Sequence, residues 1–164
     1  MSKNRGKQFE DVVKKELLKV SNVSVDRLRD APKKQKNVDN PADFIVYKKP
    51  YEIYLECKSH KGNTLPFSCI RDNQITGLTE KSKLEGVIAG VLIWYIDHDA
   101  TVFVPISTVN QLIEEGAKSI NYFQVLNRKH YWIKGIKKRV YFEYDMETFL
   151  NDLITHKEGD NGEV

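Results

Sequence analysis

Asp43, Glu56 and Lys58 are the residues of this chain whose types and spacing most directly suggest chemistry. They stand in two short apolar runs, DFIVY and YEIYLECKS, separated by a turn-like KKP, in the pattern Asp-x12-Glu-x-Lys. A strand sends alternate side chains to opposite faces. Glu56 and Lys58 therefore share a face, and Cys57 points the other way with Leu55. If the two runs pair as a hairpin, Asp43 reaches the same rim as Glu56. Phosphodiester hydrolysis needs an activated water, charge neutralisation at phosphorus and help for the leaving oxygen, and a divalent metal can supply all three. Mg²⁺ takes oxygen ligands and keeps several waters, so one or two carboxylates suffice. Asp43 and Glu56 fit that need, with the Cys57 backbone carbonyl as a third ligand. Lys58 stays protonated beside two carboxylates. It can orient the attacking water and offset charge growing on the phosphorus.

Two further residues are candidates. Glu10 can be carried over the same pocket by an N-terminal helix, to bind a second metal or a water, with Lys7 one turn earlier meeting a phosphate. The same Glu10 is equally a helix-surface acid paired with Lys7 or Lys14. Gln74 in RDNQ can orient a water or a ligand, or be a plain surface amide. Ser59, His60 and Lys61 directly follow the lysine, where they can touch a substrate strand. The four histidines form no metal-ligand spacing. No glycine-rich phosphate loop is present, so no nucleotide cofactor is expected.

The elements that must position these residues follow from periodicity. Phe9, Val12, Val13, Leu17 and Val20 recur at helical spacing, predicting an amphipathic helix from Asn4 to Val20. A short strand is expected around Val23–Leu28, then a basic loop, APKKQKNVDNP, leading into the Phe44–Tyr47 and Glu52–Lys58 hairpin. SHKGNTLPF reads as a polar connection, and Ile70–Leu84 as a helix weakened by Gly77. Val87–Tyr95 and Ala100–Val104 read as core strands joined by the tight IDHD turn. Ser107 is expected to open a helix that Gly116 ends. Arg139–Tyr144 reads as a last strand and Met146–Thr155 as a closing helix. The expected fold is α/β: one domain over 1–156 with a mixed central sheet flanked by helices, and a disordered tail from 157 to 164.

Bulk properties agree. The chain has 164 residues, 40% hydrophobic and 30% charged, with a net charge of +3. That is enough for one sizeable core. No run approaches the ~18 apolar residues of a membrane span. No signal region is evident and the two cysteines form no framework, so a cytoplasmic setting and no membrane partner are expected. Basic stretches, including KKQK and NRKHYWIKGIKKR with its aromatics, suit a phosphate backbone.

Four motifs in order, NRGKQFE, NPADFIVYK, YLECKSHKGNTLPF and RDNQITGL, resemble the RecU family of Holliday-junction resolvases, in the short form carried by phages of Gram-positive bacteria. The resemblance spans roughly residues 3 to 105. It implies a restriction-endonuclease-like PD-(D/E)xK core, shared with archaeal junction resolvases and type II restriction enzymes. It implies that Asp43, Glu56 and Lys58 are the metal-binding and catalytic core, that Glu10 is the acid of the first helix, and that Gln74 is a glutamine on the helix after the hairpin. Arg5 and Lys7 fall in a basic N-terminal motif. Mg²⁺ or Mn²⁺ as cofactor, a homodimer, and paired nicks across a four-way DNA junction are implied in the same way. Arg5, Lys7, Lys33, Lys34, Lys36, Ser59 and Lys61 are the expected DNA contacts. Bacterial members carry a long stalk before the first core acid, where this chain has only RLRDAPKKQKNVDNPA. The competing readings are a general, repair or restriction-like nuclease of the same fold, and a non-catalytic architectural DNA-binding protein.

Overall fold

The computed structural model of the chain describes residues 4–29 and 40–162. Lys33, Lys34 and Lys36 lie outside the described residues. In chain order the elements are α1 (Arg5–Leu17), β1 (Ser24–Arg27), β2 (Phe44–Lys48), β3 (Tyr51–His60), β4 (Thr64–Pro66), α2 (Asp72–Ser82), β5 (Val87–Tyr95), β6 (Ala100–Pro105), α3 (Ile106–Glu114), β7 (Ser119–Asn121), α4 (Tyr122–Val125), β8 (Tyr131–Trp132), β9 (Gly135–Lys137), β10 (Phe142–Tyr144) and α5 (Met146–Gly162). No helix among the described residues is long and apolar enough to cross a membrane.

The central sheet has the order β1-β2-β3-β5-β6-β8. Among the described strands, only β3 and β5 run parallel. Their crossover is α2, as parallel neighbours require. The sheet is therefore mixed, with a helix-bearing layer on each side, as the sequence predicts. Side-chain parity sorts the core into two halves. Phe44, Ile53, Leu55, Cys57, Leu92 and Trp94 pack with Phe9, Val13 and Leu17 of α1 and with Phe149 and Leu150 of α5. Tyr54, Val91, Ile93 and Val104 pack on the other face with Leu78 of α2 and Val109 of α3. Leu92 to Tyr95 and Val102 to Val104 are thus core strands, buried on both faces.

Several expectations are corrected. SHKGNTLPF holds β4, which pairs with β7 through Leu65 and Ile120. The expected strand at Arg139–Tyr144 is shorter, and it pairs with β9 in a separate two-stranded ribbon. α3 opens at Ile106 after Pro105, without a side-chain cap from Ser107. Proline already has the backbone angle a helix start needs. Gly116 does end α3, with φ +84°. α5 continues past His156 to Gly162, where disorder was expected. An ion pair from Lys129 to Asp160 ties that last stretch to the body of the domain.

Gly77 gains a reason for its place. A Cβ there would lie 2.8 Å from Pro41 Cβ. The bare glycine lets α2 approach the chain segment that leads into Asp43.

Candidate active site

The β2–β3 hairpin builds the site. Phe44 pairs with Leu55, and one step beyond it Asp43 lies across from Glu56. The Asp43 amide donates to the Leu55 carbonyl at 3.0 Å. The Cys57 amide donates to Asp43 Oδ2 at 2.8 Å. The polar main-chain groups of Leu55 and Cys57 therefore face β2, but β2 starts only at Phe44. The Cys57 carbonyl, pointing the same way, lies beyond its neighbouring strand. Its thiol is buried on the other face, and burial pushes its pKa up.

Glu56 is 1% exposed, deeper than a rim residue would be. Lys58 Nζ sits 2.7 Å from its Oε1. Gln74 Nε2 donates to the same Oε1 at 2.8 Å. The first turn of α2 holds Gln74 in place, because the Arg71 amide donates to Gln74 Oε1 at 3.1 Å. Those two bonds fix which way the amide faces. Glu56 Oε2 is buried with no hydrogen-bond partner among the described residues. An unpaired carboxylate oxygen in the interior is costly.

The electrostatics point the same way. Burial, and then the charge of Glu56, push Asp43 up to about 7. Burial also raises Glu56, outweighing the pull of Lys58 and Gln74 toward the charged form. Two carboxylates held close in a desolvated place, one with a bare oxygen, form a site short of positive charge. Among the described residues no three His, Cys, Asp or Glu side chains come together to hold a metal ion. Asp43 and Glu56 supply two carboxylates, and one or two suffice when the remaining ligands are waters. That fits a hard, mostly hydrated cation.

Glu10 arrives from the opposite layer, on α1. It is paired with neither Lys7 nor Lys14. Arg27 Nη2 holds Glu10 Oε2 at 2.6 Å and Arg27 Nη1 holds Asp11 Oδ1 at 2.6 Å. The guanidinium also lies over the Phe44 ring, 5.9 Å from its centre. Glu10 still acts electrostatically on Asp43 and Glu56, raising both. Arg27 is the residue that sequence reasoning missed. Its signal was register: opposite Phe44, it stands one position from Asp43.

A cleft of about 970 Å³ opens over the site, lined by Lys7, Glu10, Lys14, Arg27, Asp43, Cys57, Lys58 and Ser59 among others. Arg5 and Lys7 are exposed in the first turn of α1. No acidic residue lies in that turn and the Asn4 side chain accepts from the Lys7 amide at 3.3 Å, so exposed cationic side chains stand at the positive end of the helix. Lys61 is exposed in the loop after β3. The structure thus brings Asp43, Glu56, Lys58, Gln74 and the Cys57 main chain together, sets Glu10 and Ser59 at the cleft wall, and leaves Lys61 farther out.

A family model described as RecU, recombination protein U, matches residues 4–146. Among solved structures, a similar one is the 1.6 Å structure of Archaeoglobus fulgidus Hjc, a Holliday junction resolvase from an archaeal hyperthermophile. It is 20% identical, with a TM-score of 0.47, over 62% of this chain and 78% of that one. No curated protein matches.

Proposed function

Because the chain belongs to the recombination protein U family, we propose that it is a structure-selective endonuclease that resolves four-way DNA junctions with Mg²⁺ or Mn²⁺. The observation that carries this reading is the facing pair Asp43 and Glu56, with Glu56 Oε2 buried and bare beside Asp43.

Asp43, Glu56 Oε2 and the Cys57 carbonyl are the groups that would hold the ion. A divalent cation there supplies charge neutralisation and lowers the pKa of a water. Lys58 and Gln74 occupy Glu56 Oε1, so the buried, unpartnered Oε2 is the oxygen that would take a cation. Lys58, partly exposed beside the cleft, can also face the scissile phosphate and stabilise its growing charge. Glu10, clamped by Arg27, supports the site from the opposite wall. Ser59, Lys7 and Arg5 contact the strand. The described residues hold one such site, so paired nicks call for two copies related by a two-fold axis. The amino-acid sequence carries no recognition-helix motif, so selectivity comes from junction shape and dimer spacing. A cytoplasmic setting, in a host cell if the gene is carried by a phage, follows from that substrate.

The test is nicking of a synthetic four-way junction against linear duplex of the same sequence, with Mg²⁺ or Mn²⁺. Paired nicks confined to the junction are expected. Equal cutting of both substrates would leave a general nuclease. Tight junction binding with no cutting under either ion would leave an architectural protein.

A further inference from the structure

The β9–β10 ribbon has a core-facing base and a solvent-facing tip of opposite character. At its base, Phe142 and Tyr144 are buried. Phe142 packs edge-on to Trp94 at 6.3 Å and Tyr144 edge-on to Phe9 at 6.5 Å. The Asp145 amide donates to the Lys134 carbonyl at 2.8 Å, and across the tip the Lys138 amide donates to the Tyr141 carbonyl at 2.7 Å. Residues 134 to 140 (KGIKKRV) are all exposed; Ile136 stands midway along the ribbon opposite Glu143, and Val140 sits in the tip turn that the Lys138–Tyr141 bond closes. Ile136 is 67% exposed and Val140 58%. Between them stand Lys137, Lys138 and Arg139. Lys137 pairs with Asp99 and Lys138 with Glu143. Arg139 makes no ion pair with any described residue.

The ribbon's position gives this tip a use. The Tyr141 hydroxyl bonds Gln8 of α1, and its ring packs on Trp94 at 5.9 Å. Gln8 adjoins Lys7, about 100° around the same helix, and Lys7 lines the cleft. The tip and the cleft therefore flank the cationic start of α1. A DNA arm lying across Arg5 and Lys7, with a strand in the cleft, meets the tip where it leaves the helix.

We propose that the exposed face of the β9–β10 ribbon, from Ile136 to the turn at Val140, is a wedge, with Ile136 and Val140 pressing against destacked bases at the branch centre while Lys138 and Arg139 hold the flanking phosphates. The inference rests on the junction reading above. Apolar side chains set among cations suit this role, because an exposed base step offers an apolar face inside an anionic frame. A subunit interface suits it poorly. A two-fold axis through the turn would bring Arg139, which has no acidic partner among the described residues, against its own copy.

The test uses the full chain and a synthetic junction with 2-aminopurine at the branch point, without divalent ion so that no strand is cut. Wild-type binding should raise the 2-aminopurine emission. I136S/V140S, altered only at exposed positions, should bind within about threefold yet lose most of that rise, and with Mg²⁺ should nick the junction roughly tenfold more slowly. K138A/R139A should lower the log–log salt slope of binding by about 0.9 for each phosphate that is no longer neutralised. An unchanged emission rise in I136S/V140S overturns the wedge. So does conversion of I136S/V140S to a monomer in sedimentation, which would make the tip a subunit interface. If wild type cuts junctions selectively while both variants behave as wild type, only the wedge fails. If wild type neither binds nor cuts junctions selectively, the reading beneath it fails as well.

Discussion

Two buried glutamates separate structure from chemistry in this molecule. Glu16, on the inner side of α1, is 4% exposed. Lys19 Nζ reaches both of its oxygens, at 2.9 and 3.0 Å. Glu56, on β3, is equally hidden, but Lys58 and Gln74 both crowd onto Oε1 and leave Oε2 bare. A second acid, Asp43, faces it and is pushed up to about 7. A chain that needed only a satisfied interior would treat Glu56 as it treats Glu16. The difference is what the proposed ion site would use: a buried carboxylate oxygen, without a partner among the described residues, that a cation would satisfy.

The largest effects should therefore fall on the facing pair. Asp43→Asn and Glu56→Gln should each lower junction nicking by at least ~1000-fold while leaving junction affinity within a few-fold. Nicking that survives Asp43→Asn would remove Asp43 from the site. Stability should move oppositely at the two glutamates. Glu56→Gln removes a carboxylate whose burial costs more than its pair with Lys58 returns, so the metal-free protein should melt at an equal or higher temperature, by roughly 2–4 °C. A lower Tm would mean that Oε2 is satisfied in solution and that the contrast is false.

The positioning residues come next. Gln74→Ala frees Glu56 and should weaken Mg²⁺ binding by about 10- to 100-fold, the usual cost of losing an outer-shell partner. Titration calorimetry reads this without any turnover. Gly77→Ala favours the helix by ~1 kcal/mol but meets Pro41. Displacing the lead into Asp43 should slow nicking roughly tenfold with helix content unchanged. Full activity in Gly77→Ala would show that Pro41 gives way without moving Asp43.

The hairpin and the meeting of Asp43, Glu56 and Lys58 on it were legible because strand parity is local. Asp43, Glu56 and Lys58 fall together as soon as two adjacent runs pair. The first helix was legible for the same reason, through Phe9, Val13 and Leu17. The partner of Glu10 was not, because Arg27 reaches it only after β1 pairs with β2 in one particular register. β7, β8 and β9 are two or three residues long, too short to show a period. Gly77 looked like a defect in a helix, since a sequence does not show what passes close to a missing side chain. The depth of Glu56 was hidden too, because it depends on α2 folding back over β3.

Proton and metal linkage should follow the same contrast. The raised pKa of Asp43 means that the folded chain holds this proton more tightly than the unfolded one, whose carboxyl titrates near 3.8. The metal-free fold should thus be favoured by protonated Asp43 at low pH and lose that contribution as pH rises toward about 7. Metal must displace the proton, so Mg²⁺ affinity should climb over the same interval and level off above it. At a hundred times its Kd the ion should add ~2.7 kcal/mol to stability. Melting curves across this range, with and without Mg²⁺, should converge on the acid side and separate on the basic side. Asp43→Asn should abolish that separation. Glu16→Gln should retain it, with normal nicking and a Tm lower by only roughly 2–4 °C, because its charge is already matched within the fold. If Glu16→Gln also lost the metal response, the two buried acids would belong to one electrostatic unit, and an open oxygen would no longer distinguish the reactive carboxylate from the structural one.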